Sequence, residues 1–460
     1  MLFIANISII LRPLSHPTPV IAPARPPPPP PLPTITYDNG LPSLPDDILC
    51  EIFGLLNLEA LKSCSLTGRA LSYLTKPFIH RILYLTPLTM APTGPEAPGP
   101  WNEFKDLPAI SERGLLQYAR RISISLPGIP LFAHELEPHI QHLRKITNLK
   151  SLKIRWMDVP SFLPKMEEYF GTFFGTLQSL ELESPRGDHE QILYFACQFR
   201  NLRDLKIHGL QDYFHSMRND GPHFEIKTSP PLDGTLDLHA VMTPRSAWGD
   251  FKGPEVFFSN LVTLPSGLKF RALKLSRYIG NNLQLLVDPC APTLEYMELT
   301  SDGFGTSSLQ GGECSLFTPV HTISLSGTPR CPPLNFERHS ALRQLKINLT
   351  GYSPLESAAE WTSETIPTIT SHVFTKLAIS IAPVSLFRAV SENLVRWWNL
   401  VDNVLDRLSL CEYVTLVVTA TEWVETDKFG EGIKKYFPLM WEKGRVVLEI
   451  PPPPQGTWPK

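Results

Sequence analysis

The chain has 460 residues, a net charge of −3 and seven cysteines dispersed along its length. That length accommodates two or three domains with a large hydrophobic core. The near balance of charges gives no electrostatic footprint for nucleic acid or for an anionic membrane surface. No two cysteines form a CxxC pair, so neither a zinc site nor a disulfide framework is indicated. We therefore expect free thiols, a cytoplasmic or nuclear location, and no metal or other cofactor.

Residues 1–40 are predicted to be a disordered leader that is first apolar and then rich in proline. The apolar stretch from Leu2 to Leu11 lacks a basic start and is far shorter than the ~20 residues that cross a bilayer. We expect an unstructured leader or a misassigned start codon here, and a signal peptide is the alternative. Residues 17–33 contain ten prolines and predict an extended polyproline II spacer. The pattern at Arg25, Pro28 and Pro31 also fits a ligand of proline-binding domains.

Residues 44–85 predict three short helices. Leu44-Pro45 precedes two acids that face the positive end of the first helix dipole. One face of that helix is apolar, at Ile48, Ile52, Leu55 and Leu56. Asn57 is expected to cap the second helix, Thr67-Gly68 to end it, and Pro77 to kink or end the third. A unit of about 40 residues rarely folds alone, so its excess apolar positions predict a covering protein surface.

The order of these residues resembles the F-box. The match comprises Leu44-Pro45-Asp46, Ile48-Leu49, Glu51-Ile52-Phe53, Leu56, Leu61, Ser65-Leu66 and Arg69. The resemblance implies docking on a Skp-type adaptor and, through it, membership of a cullin ubiquitin ligase. It implies adaptor contacts at Leu44, Pro45, Ile48, Ile52, Leu56 and Leu61. Ala70 departs from the pattern, because many F-boxes have tryptophan after the arginine, and weaker packing of the third helix is expected. The alternative is an ordinary helical cap on the following domain.

A short phrase, apolar-x-x-apolar-x-apolar, recurs after a predicted linker at residues 87–109. Eight clear copies begin at Leu149, Leu177, Leu202, Phe270, Leu294, Val320, Leu342 and Phe374, with a weak copy at Leu236-Asp237-Leu238. Each copy ends in the period-two alternation of a short strand with one buried face. Most copies start 22 to 32 residues apart, which leaves room for one helical or irregular return. Stacked in parallel, such units form a solenoid, predicted for residues 110–450.

This pattern resembles leucine-rich repeats, which commonly form the recognition surface of F-box proteins. It lacks the family's asparagine three residues beyond the strand, where it has Met157, Pro185, Leu210, Tyr278, Asp302, Thr328, Thr350 and Ala382. The expected fold class is therefore α/β, a small three-helix F-box (residues 41–86) followed by an irregular solenoid of parallel strands. A non-repetitive α/β domain is the alternative. The proline-rich leader and degenerate strands resemble the expanded F-box families of fungi.

Elements flanking the array are expected to complete it. The first strands are predicted at Ile82–Leu85 and Arg121–Ile124, and the final ones at Val414–Thr419 and Arg445–Ile450. Between them, apolar residues from Leu386 to Leu408 follow helical spacing and predict a helix packed on the last repeats. Residues 451–460 are expected to be a disordered tail.

Motifs of catalysis are missing from the sequence. It contains no G-x-S-x-G, no H-E-x-x-H and no phosphate-binding loop. His134, His139 and His142 cluster near two glutamates, but their spacing is weak for a metal site and favours a solvated surface helix. No catalytic residue is nominated, and the protein is not expected to be an enzyme.

The sequence thus predicts a substrate-recognition subunit that docks on the adaptor and recruits an unidentified protein target to a cullin ligase. Neither nucleic acid nor membrane is an expected partner. One alternative is a scaffold that acts outside a ligase, a possibility that Ala70 keeps open. A less favoured alternative is a secreted leucine-rich recognition protein with Leu2–Leu11 as its leader, against which the dispersed cysteines argue.

Overall fold

The computed structural model describes residues 46–86, 102–125, 131–210, 226–240, 253–276, 283–301, 332–349, 355–381, 392–408 and 414–452. Two compact units divide the chain, residues 1–49 and residues 50–460. The described part of the first unit is the beginning of the first helix. All of the described strands belong to the second unit.

The second unit is an α/β structure built on one parallel sheet. Its thirteen described strands are β1 (Ile82–Thr86), β2 (Asn102–Glu103), β3 (Arg121–Ile124), β4 (Ser151–Arg155), β5 (Ser179–Glu183), β6 (Asp204–Leu210), β7 (Thr235–Ala240), β8 (Ala272–Ser276), β9 (Tyr296–Ser301), β10 (Gln344–Leu349), β11 (Lys376–Ile381), β12 (Thr415–Ala420) and β13 (Val446–Glu449). From β3 to β13 each strand pairs with the next described strand along the chain, while β1 lies between β2 and β3. This order is compatible with a solenoid.

Alternation along the strands explains why one face of the sheet is buried. In β4, Leu152 and Ile154 are buried, whereas the residues on either side of them remain partly exposed. Parallel pairing places Leu152 beside Leu180 of β5 in the same register. The apolar positions therefore form continuous rows inside one hydrophobic core that extends from Leu83 to Met440. Burial of these rows is the main contribution to the stability of the stack.

A second regularity, the carbonyl ladder, lies just before the strands begin. At eight positions along the stack one backbone carbonyl accepts two consecutive N–H groups of the next segment, at 2.8 to 3.2 Å, and the pattern is interrupted once, at Arg203. These carbonyls belong to Arg81, Arg120, Lys150, Gln178, Gly234, Arg271, Glu295 and Arg343. Because the pattern repeats across return segments of different length, the ladder fixes the register at which each strand begins.

Three residues with left-handed backbone follow β4, β5 and the bulged part of β6. They are Trp156 (φ 61°), Ser184 (φ 51°) and Gly209 (φ 71°), and they occupy matching positions in adjacent strands. The N–H of Trp156 donates to the Glu183 carbonyl at 2.7 Å, and that of Ser184 to the His208 carbonyl at 2.6 Å. These backbone bonds connect the turns without the asparagines of leucine-rich repeats.

Helices and 3-10 turns fill the return segments. The described helices are α1 (Asp46–Leu55), α2 (Leu58–Thr67), α3 (Arg69–Ile79), Leu107–Glu112, Ala133–Leu136, Ile140–Leu143, Val159–Phe162, Met166–Phe170, His189–Cys197, Gly253–Val262, Leu283–Val287, Leu355–Thr365, Glu392–Leu408, Thr426–Tyr436 and Pro438–Glu442. Apolar residues of the helices from Leu107–Glu112 onward join the core of the sheet. Buried Asp402 accepts hydrogen bonds from the backbone N–H groups of Leu439 and Met440, at 2.7 and 3.0 Å. It thereby caps the Pro438–Glu442 helix.

The structure has three helices in the N-terminal stretch where the sequence predicts helices. The Asn57 side chain accepts from the N–H of Ala60 at 2.9 Å, so it caps α2 as expected, and Gly68 follows the end of that helix. Pro77 lies inside α3, which continues to Ile79. Phe53 and Phe78 hold α1 against α3 with their ring centroids 5.9 Å apart.

Strands are present at seven of the eight repeated phrases and at the weak copy, which forms β7. The copy that begins at Val320 lies outside the described residues. Among the described strands, β9 pairs directly with β10. The four predicted flanking strands are found as β1, β3, β12 and β13. Residues 102–109, assigned to the linker from sequence, include β2 and contribute two buried core side chains, Phe104 and Leu107.

Candidate binding surfaces

The face of the sheet opposite the core carries a row of alternating charges, which we call the middle row. It runs through seven consecutive strands, β4 to β10, in one register. Its members are Lys153, Glu181, Lys206, Asp237, Lys274, Glu298 and Lys346. Because neighbouring strands lie ~4.8 Å apart, each of the five inner charges has an opposite charge on both sides, and each of the two lysines at the ends has one opposite neighbour within the row.

Lys153 is held by two acids at the β4 end of the middle row. Its Nζ lies 2.6 Å from Glu181 Oε1 and 3.1 Å from Glu183 Oε2, while Arg155 Nη2 lies 2.7 Å from Glu183 Oε1. Burial opposes the charge on Lys153, but the bonds and charges of the two glutamates outweigh it and raise the lysine pKa. For Glu183 burial is likewise outweighed, by Arg155 and Lys153, and its pKa is lowered. Lys153 and Glu183 are therefore both held in their charged forms.

Glu298 is the centre of a second network at the β10 end. It accepts from Lys346 at 2.9 Å, from the Asn348 amide at 2.7 Å and from the Tyr296 hydroxyl at 2.8 Å. Partial burial opposes ionisation of Glu298, but these three donors prevail and lower its pKa. Lys274 lies over the Tyr296 ring, 6.0 Å from its centroid, within the range of a cation–π contact.

His208 and Asp237 form the central pair of the face. His208 Nε2 lies 3.4 Å from Asp237 Oδ1, and the ring of His239 is 6.1 Å from that of His208, centroid to centroid. The hydrogen bond with Asp237 is the largest cause that raises the pKa of His208, against the effect of burial. For Asp237, burial is outweighed by that bond and by nearby positive charges, so its pKa is lowered.

The polar face therefore has little net charge and fixed side chains. Its ion pairs hold donors and acceptors at set positions, which favours recognition of a polar partner by matched hydrogen bonds. A polyanion would meet an acid on every second strand, at Glu181, Asp237 and Glu298. The alternation of charge is visible in the sequence, at the fifth position of the repeated phrase. That these charges lie side by side follows only from the in-register pairing of the strands in the structure.

The helical unit, α1–α3, presents a different surface. Leu55 at the end of α1 is 88% exposed and Leu66 of α2 is 87% exposed, values that are unusual for leucine. Ile52 is 39% exposed on the same helix as Leu55. Apolar side chains left in water on so small a unit favour a covering partner over a role in solution.

The residues predicted to contact an adaptor have different environments. Leu44 and Pro45 lie outside the described residues. Ile48 and Ile52 are exposed and Leu56 is partly buried, whereas Leu61 is only 5% exposed. Leu55 and Leu66, absent from the predicted contacts, are the most exposed apolar side chains of the helical unit; the spacing of Leu55 from Ile48 and Ile52 in the sequence already placed it on the same stripe.

The described residues give little support for a metal site or for a reactive cysteine. Within those ranges no group of three or more His, Cys, Asp and Glu side chains is placed to hold a metal ion. Burial raises the pKa of Cys197 to about 12 and that of Cys290 to about 11, so neither thiol is activated, while Cys50 is exposed. None of the described helices combines the length and the apolar character needed to cross a bilayer.

A cavity of about 510 Å³ is lined by residues of the return segments, namely Arg144, Glu167, Gly171, Thr172, Phe174, Gly175 and Arg200. The guanidinium of Arg144 donates to the Glu168 carbonyl at 3.1 and 2.9 Å. A lone carboxylate beside two arginines provides neither a nucleophile with a base nor an acid–base pair. The cavity is therefore a weaker candidate than the two surfaces above.

No protein-family model matches the chain, and a search of curated proteins found no match either.

Proposed function

We propose that this chain is an F-box-type substrate receptor, which docks on a Skp-type adaptor and brings a protein target to a cullin ubiquitin ligase. The observation that carries the proposal is the helical unit, whose sequence resembles the F-box and whose Ile52, Leu55 and Leu66 remain exposed. Covering such side chains contributes about 1–2 kcal/mol each, enough for three of them to support a stable contact.

Target capture is assigned to the polar face of the sheet, which we interpret as a degenerate leucine-rich-repeat array. The receptor itself catalyses no covalent step in this proposal. It raises the effective concentration of the target beside the charged conjugating enzyme, so its contribution to the rate is one of tethering. The parallel stack of β3 to β13 supports this division of labour, since such stacks provide extended binding surfaces.

The test is binding of the full chain to purified Skp-type adaptor, measured by calorimetry. We expect the parent to bind, and Ile52→Asp to abolish binding because it places a charge in the apolar contact. The double change Leu44→Ala and Pro45→Ala is expected to do the same. Leu285→Asp is the matched control, since Leu285 is 50% exposed but belongs to the repeat region.

Circular dichroism establishes that each variant is folded. Adaptor binding retained by Ile52→Asp would refute the assigned interface. A folded parent that does not bind the adaptor would refute the ligase proposal, and the scaffold hypothesis would take its place. A further measurement asks whether the cullin is captured together with the adaptor. Capture of both indicates a receptor that acts in a ligase, and capture of the adaptor alone indicates an F-box that acts outside a ligase.

A further inference from the structure

We propose that Arg81, Arg120, Arg121 and Lys150 form a docking site for a short acidic segment of a partner protein. The four residues lie where β1, β3 and β4 begin, at the amino-terminal ends of these strands. This site is separate from the exposed leucines of the helical unit and from the middle row. Its test therefore does not depend on adaptor binding.

The carbonyl ladder places the backbones of the four residues next to one another. The Arg81 carbonyl accepts from the N–H groups of Arg120 and Arg121 at 2.9 and 3.0 Å, and the Arg120 carbonyl accepts from Lys150 at 2.8 Å. Adjacent ladder positions are therefore one strand spacing apart, and the row from Arg81 to Lys150 spans about 10 Å. The three arginines are exposed and Lys150 is partly exposed.

Charge compensation distinguishes this end of the ladder from the rest. Further along, Arg203 forms a two-pronged pair with Asp233 at 2.7 and 2.8 Å, Arg271 also acts on Asp233, and Arg343 lies 4.0 Å from Glu295. Among the described residues, no ion pair or hydrogen bond of a side chain is found for the four residues of the proposed site. Within the described ranges the four basic residues thus have no neutralising partner, and their backbone positions lie within about one Debye length, ~8–10 Å.

The size of the site and the residues around it indicate which kind of ligand it can bind. A row of about 10 Å matches about three residues of extended chain. Guanidinium groups bind carboxylates in a planar, two-pronged manner, which suits aspartate and glutamate side chains. A nucleic acid would continue along the row to the neutral Gln178 and then to the Arg203–Asp233 pair, and would lose its contacts there. A short acidic peptide is therefore the better fit.

The experiment measures the fluorescence anisotropy of a labelled hexaglutamate peptide mixed with the full chain at low salt. We expect saturable binding that weakens with added salt, and no binding of hexaglutamine. The double variant Arg120→Ser and Lys150→Ser should weaken binding about fivefold to tenfold, since two charge-assisted contacts are lost. Arg271→Ser is the matched control: it removes a ladder arginine that already has Asp233 nearby, and should leave binding unchanged.

Stability gives an independent readout. Because like charges repel, the double variant is expected to unfold at an equal or higher urea concentration than the parent at low salt, with the difference lost at high salt. Absence of hexaglutamate binding, or equal effects of the double variant and Arg271→Ser, would overturn the proposal. Tighter binding of a six-nucleotide oligothymidylate than of hexaglutamate would overturn the choice of a peptide ligand.

Discussion

Replacement of Gly209 by alanine tests the row of left-handed residues that connects β4, β5 and β6. Gly209 has φ of +71°, and a Cβ added there would lie 2.7 Å from Ser184 Oγ and 3.4 Å from Ser184 Cα. Left-handed backbone costs a residue with a side chain about 1–2 kcal/mol, and the close contact adds ~1–3 kcal/mol as in other overpacked sites. We expect Gly209→Ala to lower the free energy of unfolding by about 2–4 kcal/mol.

The matched control is Gly267→Ala. Gly267 has nearly the same φ, +65°, but an added Cβ meets no atom within 4 Å, so only the backbone cost of ~1–2 kcal/mol is expected. The double variant Ser184→Gly and Gly209→Ala removes the crowded hydroxyl. It should recover about 1–2 kcal/mol relative to the sum of the two single changes, a coupling that a double-mutant cycle isolates.

Urea denaturation followed by tryptophan fluorescence gives the stabilities. Hydrogen exchange of the Ser184 amide gives the local effect, since that N–H donates to the His208 carbonyl across the strands. If Gly209→Ala is no more destabilising than Gly267→Ala, or if the cycle shows no coupling, the close packing of the two turns is refuted.

Two predictions concern pH. Burial raises the pKa of Asp402 above its unfolded value, so the folded protein binds the proton more tightly. The stability of the parent relative to Asp402→Asn should therefore fall as pH rises above about 4, and a constant difference would contradict this. The bond with Asp237 raises the pKa of His208, so its contribution is complete below about pH 6.5 and is lost as pH rises through the raised value. Relative to His208→Gln, the parent should lose stability as pH rises above about 6.5, as measured by urea titration.

The strands could be predicted from the sequence because the apolar alternation that indicates a strand lies within the strand itself. Leu152 and Ile154 alternate with lysine and arginine, and that pattern alone assigns one face to the core. Even the weak copy at Leu236 and Leu238 forms a strand, since two apolar positions suffice when both neighbouring strands are in place. The direct pairing of β9 with β10 was not predictable, because the repeated phrase carries no information about which strands meet.

The features of the binding surfaces depend on information that the sequence lacks. Helical spacing places Leu61 and Leu66 on apolar faces alike, and only packing decides that the first is buried and the second exposed. Trp156 and Ser184 have left-handed backbone although neither residue type favours it, so these turns could not be predicted from the sequence. The charged pairs of the sheet face required the register between strands, which the phrase does not contain.

The alternating charges of the middle row also set the unit by which this array can change in length. Loss or duplication of one repeat between Lys153 and Lys346 would bring two lysines or two acids into adjacent strands, where like charges repel. Loss or gain of two repeats preserves the alternation and every opposite-charge neighbour. Length variants of this stretch that keep the alternation are therefore expected to differ from it by even numbers of repeats.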